Sequence, residues 1–201
     1  MLRKALKRLT VSVAVALALP LALLSGFGRL GVLFELGAQL LALVPGLPGS
    51  YLRVAYYKLT LEHVGPDCSI ALGSFFAHSQ ASMGKHVGIG AYCVLGHVSI
   101  GDGTIFASNA QVLSGVGQHQ RDEKGFLTDA GRGFERITIG QACWIGAGAV
   151  IMADLGDMVT VSPGSVVSNP AASGVLLAGN PARQVLRVAG KKETLHSSAN
   201  V

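Results

Sequence analysis

From Ile70 to Val167 a large apolar side chain returns about every sixth residue, usually followed by Gly or Ala. The cleanest stretch is Ile139, Ile145, Ile151, then Leu155, Val161 and Val167. An earlier run goes Ile70, Phe76, Met83, Ile89, Leu95, Ile100, Phe106, Val112, with one-residue slips. Four places after each of these, the side chain is mostly small: Ser74, Cys93, Thr104, Ala110, Cys143, Ala149, Ser165. A period of six suits neither a helix at 3.6 nor a flat strand at 2. It suits a triangular coil with one short strand and one turn per side. The large residue fills the core, the small one points inward at the second core position, and Gly relieves the corner. The chain is therefore expected to be all-β, a parallel β-helix.

Composition narrows the function. Only 13% of the 201 residues are charged while 50% are hydrophobic, which suits stacked coils joined to an apolar segment. The net charge of +5 does not mark a nucleic-acid binder, because the bases are not interleaved with aromatics in one motif. Cys68, Cys93 and Cys143 are an odd number with no close pair, so neither a disulfide framework nor a zinc knuckle is indicated. Each stands four residues after a core position and reads as a small buried hydrophobe. No metal site is expected: hydration chemistry would need three clustered imidazoles, and no His-x-x-x-x-His occurs.

Three parts follow along the chain. Residues 1–48 read as a membrane-associated head. Leu9 to Gly28 is free of charge, and Leu36 to Leu52 is again uncharged after Arg29 and Glu35. A helical hairpin turning near Gly26-Phe27-Gly28-Arg29 is the preferred form; an amphipathic anchor or a signal peptide are the alternatives. Bases flank both outer ends (Arg3 to Arg8, then Arg53 and Lys58), which would put the head in the cell inner membrane with the rest facing the cytoplasm. Residues 49–63 form an amphipathic connector suited to headgroups or to capping the open end of the coil. Residues 64–187 hold the coil, broken by an insertion at 115–136 that carries eight of the chain's 27 charges. Residues 188–201 are a polar tail.

The beat, the polar insertion and the closing Ala178-Gly179-Asn180-Pro181-Ala182-Arg183 together resemble the hexapeptide-repeat acyltransferases. The best match, Ile137-Thr-Ile-Gly-Gln-Ala-Cys-Trp-Ile-Gly-Ala-Gly-Ala-Val-Ile151, is similar to the galactoside, maltose and serine acetyltransferase branch. The resemblance implies a left-handed β-helix and a homotrimer. It also implies acetyl-CoA or another short acyl-CoA as co-substrate, held in a groove between coils, with a looped-out histidine as general base. It places that base at His119, in Leu113-Ser-Gly-Val-Gly-Gln-His119. A sugar hydroxyl is too weakly acidic to attack a thioester unaided, and imidazole is the side chain titrating nearest neutrality. Asp122 or Glu123 could orient the ring, although a hydrated loop charge is the preferred account of either. The resemblance also gives the Ala147 N–H to the thioester carbonyl. It assigns Trp144, Gly146 and Arg183 to the cofactor and Asn109 to the acceptor.

His97, in Leu95-Gly-His-Val-Ser-Ile-Gly-Asp, is the rival base. Its context resembles the sugar-nucleotide N-acetyltransferases, one residue short in spacing and with Val98 where an acidic residue usually follows. The main expectation is acyl transfer to a sugar hydroxyl of a membrane-linked glycan or exopolysaccharide precursor. The alternatives are a sugar-nucleotide N-acetyltransferase using His97 and a non-catalytic scaffold of a polysaccharide-synthesis complex.

Overall fold

The computed structural model describes residues 2–115, 120–128 and 133–187. Three helices precede a coil of short parallel strands: α1 (Leu2–Leu24), α2 (Gly31–Ala42) and α3 (Gly46–Thr60). The strands stack into the three faces of a prism. The first face holds His63–Val64, Ser82–Met83, Val98–Ile100 and Ile137–Ile139. The second holds Ser69–Ile70, Gly88–Ile89, Ile105–Phe106, Trp144–Ile145, Thr160–Val161 and Val175–Gly179. The third holds Phe75–Phe76, Val94–Leu95, Gln111–Val112, Val150–Ile151 and Val166–Val167.

The six-residue beat is the inward column of each face. On the second face Ile70, Ile89, Phe106, Ile145, Val161 and Leu177 lie in register one above another, all buried. The small residues beside the corners do more than fit. Buried Ser74 donates from Oγ to the Gly90 carbonyl at 2.5 Å and accepts the Cys93 N–H at 2.8 Å. Thr104 does the same at a corner between the first and second faces, donating to Gly140 at 2.8 Å and accepting the Cys143 N–H at 3.0 Å. Backbone groups that face the core at a corner thus find partners without water.

Two edges of the prism repeat. Between the first and second faces the chain turns through Asp67, His86, Gly103, Ala142, Met158 and Gly174, all with positive φ. Between the second and third it turns through Gly73, Tyr92, Asn109, Gly148 and Gly164 in the same way. From His86 onward each such N–H donates to a carbonyl of the coil before it, as from Asn109 to Ala91 at 2.8 Å, while the Gly73 N–H donates to Ala42 of α2. The third edge, between the third face and the first, has no repeating turn and carries the insertion. Within the insertion Gln120–Arg121 and Leu127–Thr128 pair antiparallel. At the far end of the coil Val175–Gly179 pairs antiparallel with Ala182–Arg187, which becomes the outermost strand of the second face.

The head corrects the membrane reading. Among the described residues no helix is long and apolar enough to cross a membrane. Only part of the uncharged run packs, and Leu9, Val13, Leu17 and Leu23 of α1 stay exposed. Ala14, Ala18 and Ala22 of α1 form a buried stripe, and α2, at 12 residues, spans only about 18 Å. Phe34, Tyr56, Tyr57 and Phe76 pack in sequence with ring centroids 5.9, 5.6 and 5.0 Å apart, the first pair stacked and the next two edge to face, running from α2 through α3 into the coil. Tyr56 Oη donates to the Phe34 carbonyl at 2.8 Å, and Tyr57 Oη accepts the Phe76 N–H at 3.0 Å. Arg53, read from sequence as a flanking base, is buried at 1% exposure. It donates to the carbonyls of Leu41, Val44 and Ile70 at 2.8–3.0 Å. Burial pulls its pKa below the ordinary arginine value. Lys7 pairs with Asp67 of the first coil. The inner-membrane placement and the membrane as partner are withdrawn with the spanning segment. The homotrimer has no support either, because one chain's fold does not determine an assembly.

Candidate functional site

The third edge brings two histidines together with the returning end of the insertion. A coil there advances 19 residues from Phe76 to Leu95, which are register partners. Phe76-Ala77-His78 and Leu95-Gly96-His97 therefore occupy the same corner in successive coils, and the two imidazole centroids stand 6.1 Å apart. The next corner at this edge is the insertion, whose returning segment brings Phe134, Glu135 and Arg136 back to the coil just before Ile137–Ile139. Phe134 lies against His78 at 4.7 Å. The Glu135 N–H donates to the Ser114 carbonyl at 3.1 Å, joining the two ends of the insertion.

His97 is held from three sides. Its backbone N–H donates to Ser114 Oγ at 2.9 Å. Its Nδ1 stands 3.2 Å from the Phe134 carbonyl, and Nε2 accepts from Arg136 Nε at 3.0 Å. A carbonyl can only accept, so the proton belongs on Nδ1 and the lone pair on Nε2. Arg136 also donates from Nη2 to Glu62 at 2.6 Å and to the Gln80 carbonyl. Burial, and then the neighbouring His97, lower the His78 pKa from its ordinary value; Glu35 opposes this weakly. Among the described residues no three His, Cys, Asp or Glu side chains converge on a metal position.

The other residues expected from the sequence scatter. His119 lies outside the described residues. Asp122 holds its own hairpin, accepting the Lys124 and Phe126 N–H groups at 3.0 and 2.9 Å. Trp144 stands on the outer side of the second face, 43% exposed, between Ile105 and Thr160 in register. Gly146 and Ala147 follow it onto the second edge. A side chain at Gly146 would come within 2.4 Å of the Pro163 backbone, so close stacking of coils already demands glycine there. Ala147 is exposed, and its carbonyl accepts the Gly164 N–H at 2.8 Å. Asn109 occupies a left-handed corner with φ 61°, a conformation Asn tolerates better than most residues. Arg183 is exposed beside a shallow depression lined by Asn169, Pro170, Val175 and Leu177 at the last coil. Trp144, Gly146 and Ala147 are thus neighbours, whereas His97 stands on a different edge of the prism.

Arg136, Phe134 and His78 were not anticipated. The two histidines had a readable signal, since each follows a core residue and a small residue at the same point of its coil. Arg136 and Phe134 had none, because only the closing of the insertion brings them back to His97.

No protein-family model matches the chain, and no curated protein matches it by sequence. Solved structures do match by shape. A hexapeptide-repeat acetyltransferase of Vibrio cholerae aligns over 82% of this chain and 92% of its own, with TM-score 0.63 and 18% identity. A maltose O-acetyltransferase of Clostridium difficile aligns over 83% and 89%, with TM-score 0.57 and 18% identity. A variant of a Bacillus cereus N-acyltransferase, solved with dTDP-4-amino-4,6-dideoxyglucose and coenzyme A, aligns over 64% and 84%, with TM-score 0.50 and 16% identity. At such identities the likeness is one of architecture: this chain has the left-handed β-helix fold of the hexapeptide-repeat acyltransferases.

Proposed function

We propose that the chain transfers an acyl group from CoA to the amino group of a nucleotide-linked sugar, with His97 as general base. The observation that supports this reading is the hold on His97. Its Nδ1 faces the Phe134 carbonyl, so Nε2 is the proton-accepting nitrogen, and it lies at the edge where the insertion leaves the coil. A base fixed in one tautomer by a backbone carbonyl is the arrangement that proton abstraction needs. The fold is shared with an N-acyltransferase solved with a nucleotide-linked amino sugar and CoA, as it is with a maltose O-acetyltransferase, so it accommodates an amine acceptor. This reading sets aside the galactoside, maltose and serine branch, whose base would be His119.

In the reaction the acceptor nitrogen attacks the thioester carbon while Nε2 takes its proton. The carbon–sulfur bond then breaks, and the imidazolium returns the proton to the departing thiolate. The Ala147 N–H and Arg183 are proposed for the thioester carbonyl and the CoA phosphates, as the resemblance suggests. The test is release of CoA thiol from acetyl-CoA with a panel of nucleotide-linked amino sugars and neutral glycans. His97→Asn is expected to lower turnover by roughly 10²–10⁴-fold, the size of a lost general base. A dead His119→Ala beside a near-normal His97→Asn, with neutral glycans as acceptors, would return the chemistry to hydroxyl transfer.

A further inference from the structure

One guanidinium occupies the nitrogen that the reaction needs. Arg136 Nε donates to His97 Nε2 at 3.0 Å, while its Nη2 is shared between Glu62, at 2.6 Å, and the Gln80 carbonyl. The other ring nitrogen is committed to Phe134. Imidazole has no third site, so His97 cannot accept a proton from an acceptor until Arg136 withdraws. The hold on Arg136 is a weak one. Its side chain and that of Glu62 are 37% and 47% exposed, so water screens their attraction. A diphosphate offers a guanidinium more charge than one carboxylate and the same bidentate geometry.

We propose that Arg136 masks His97 in the free protein and is drawn off by the phosphates of the acceptor. It is then the residue that selects a phosphorylated sugar over a free one. This rests on the reading of His97 as the base and deepens it. Arg136 is a positioning residue, acting through the imidazole. Its release bares the Nε2 lone pair at the moment a nucleotide-linked sugar is seated, so CoA thioester is not spent on water or on neutral sugars.

The test uses the full chain carrying ¹⁵N-histidine, with the His97 ring signals assigned by their loss in His97→Asn. Inorganic pyrophosphate is the probe. In the wild-type protein the Nε2 signal should move as pyrophosphate is added. In Arg136→Met it should start displaced and not respond. Glu62→Gln, which loosens the guanidinium without touching the ring, should bring the response to severalfold lower pyrophosphate. A wild-type Nε2 signal that stays still, or an Arg136→Met protein that still responds, would overturn the proposal. In the thiol-release assay Arg136→Met should raise the KM for a nucleotide-linked amino sugar by roughly tenfold while speeding reaction of the free amino sugar. An equal loss on both acceptors would make Arg136 a structural tie only. The two readings fail separately: full turnover in His97→Asn removes the base, and the pyrophosphate titration still decides whether the guanidinium caps the ring.

Discussion

Two edges of the prism are alike and the third is not, and the contrast separates what the chain needs to fold from what it can use. At the first two edges every step from one core residue to the next is six residues, from Val64 to Ile70 and on to Val161 to Val167. Each turn passes one residue of positive φ, and from the second coil onward each such N–H bonds to the coil before it. At the third edge the steps vary. Phe76 to Met83 takes seven residues, Leu95 to Ile100 five, and Val112 to Ile139 spans the whole insertion. Repetition is what stacking requires, since each coil must present the same backbone pattern to the next. The edge freed from repetition is where His78, His97 and Arg136 stand.

This contrast can be broken by substitution. At the third edge, His97→Asn should cost roughly 10²–10⁴-fold in turnover and leave thermal unfolding nearly unchanged. A large drop in melting temperature would make His97 a packing residue instead. The repeating edges should behave in the opposite way. Gly146→Ala places a methyl group against the Pro163 backbone, which cannot swing aside, and should destabilise by about 1–3 kcal/mol. Thr104→Val keeps the shape but strands the Gly140 carbonyl and the buried Cys143 N–H, at about 1–3 kcal/mol. Urea unfolding measures both, and unchanged midpoints would mean that the corners are looser than their hydrogen bonds indicate.

A finer cut falls at Asn109. Asn109→Ala should lose about 1 kcal/mol from the left-handed corner, whereas Asn109→Gly should be nearly neutral. If Asn109→Gly instead raises the KM for the acceptor, the residue binds substrate as the resemblance implied. The smallest effect concerns pH. The pKa of His78 is lowered in the folded chain, so the unfolded chain takes up the proton first as pH falls. The stability this site contributes is complete above about pH 6.5 and is lost progressively as pH falls below it, toward the lower pKa of the folded chain. His78→Phe should flatten that part of the stability profile, read as urea midpoints at roughly pH 5 and pH 7.5. An unchanged slope would assign it to other groups.

The coil was legible because its inward column is a strict pattern of volume, and volume is written in the residue type. The uneven edge was legible too, as the slips in the beat, although only the assembled coil shows that they fall on one side. The head was misread for a physical reason. An uncharged run is equally suited to lipid and to protein, and the sequence shows charge without showing burial. Arg53 counted as a membrane-flanking base until the structure placed its guanidinium among three carbonyls. Asn109 and Gly146 carried family roles that the backbone accounts for unaided. Arg136 could not be found from sequence, because its relation to His97 spans 39 positions and depends on where the insertion returns.

The antiparallel strand Ala182–Arg187 has a consequence for solubility. A stack of parallel strands has no natural last member: its final rung offers the same row of amides and carbonyls that recruited it, so a second molecule could continue the ladder indefinitely. On the second face the last rung runs antiparallel to the coil and offers an arriving parallel strand the wrong hydrogen-bond pattern, and at the opposite end α3 is seated over Ile70 and Phe76. A chain cut after Ser173 would keep most of its coils and lose its terminator, and should assemble end to end into fibres.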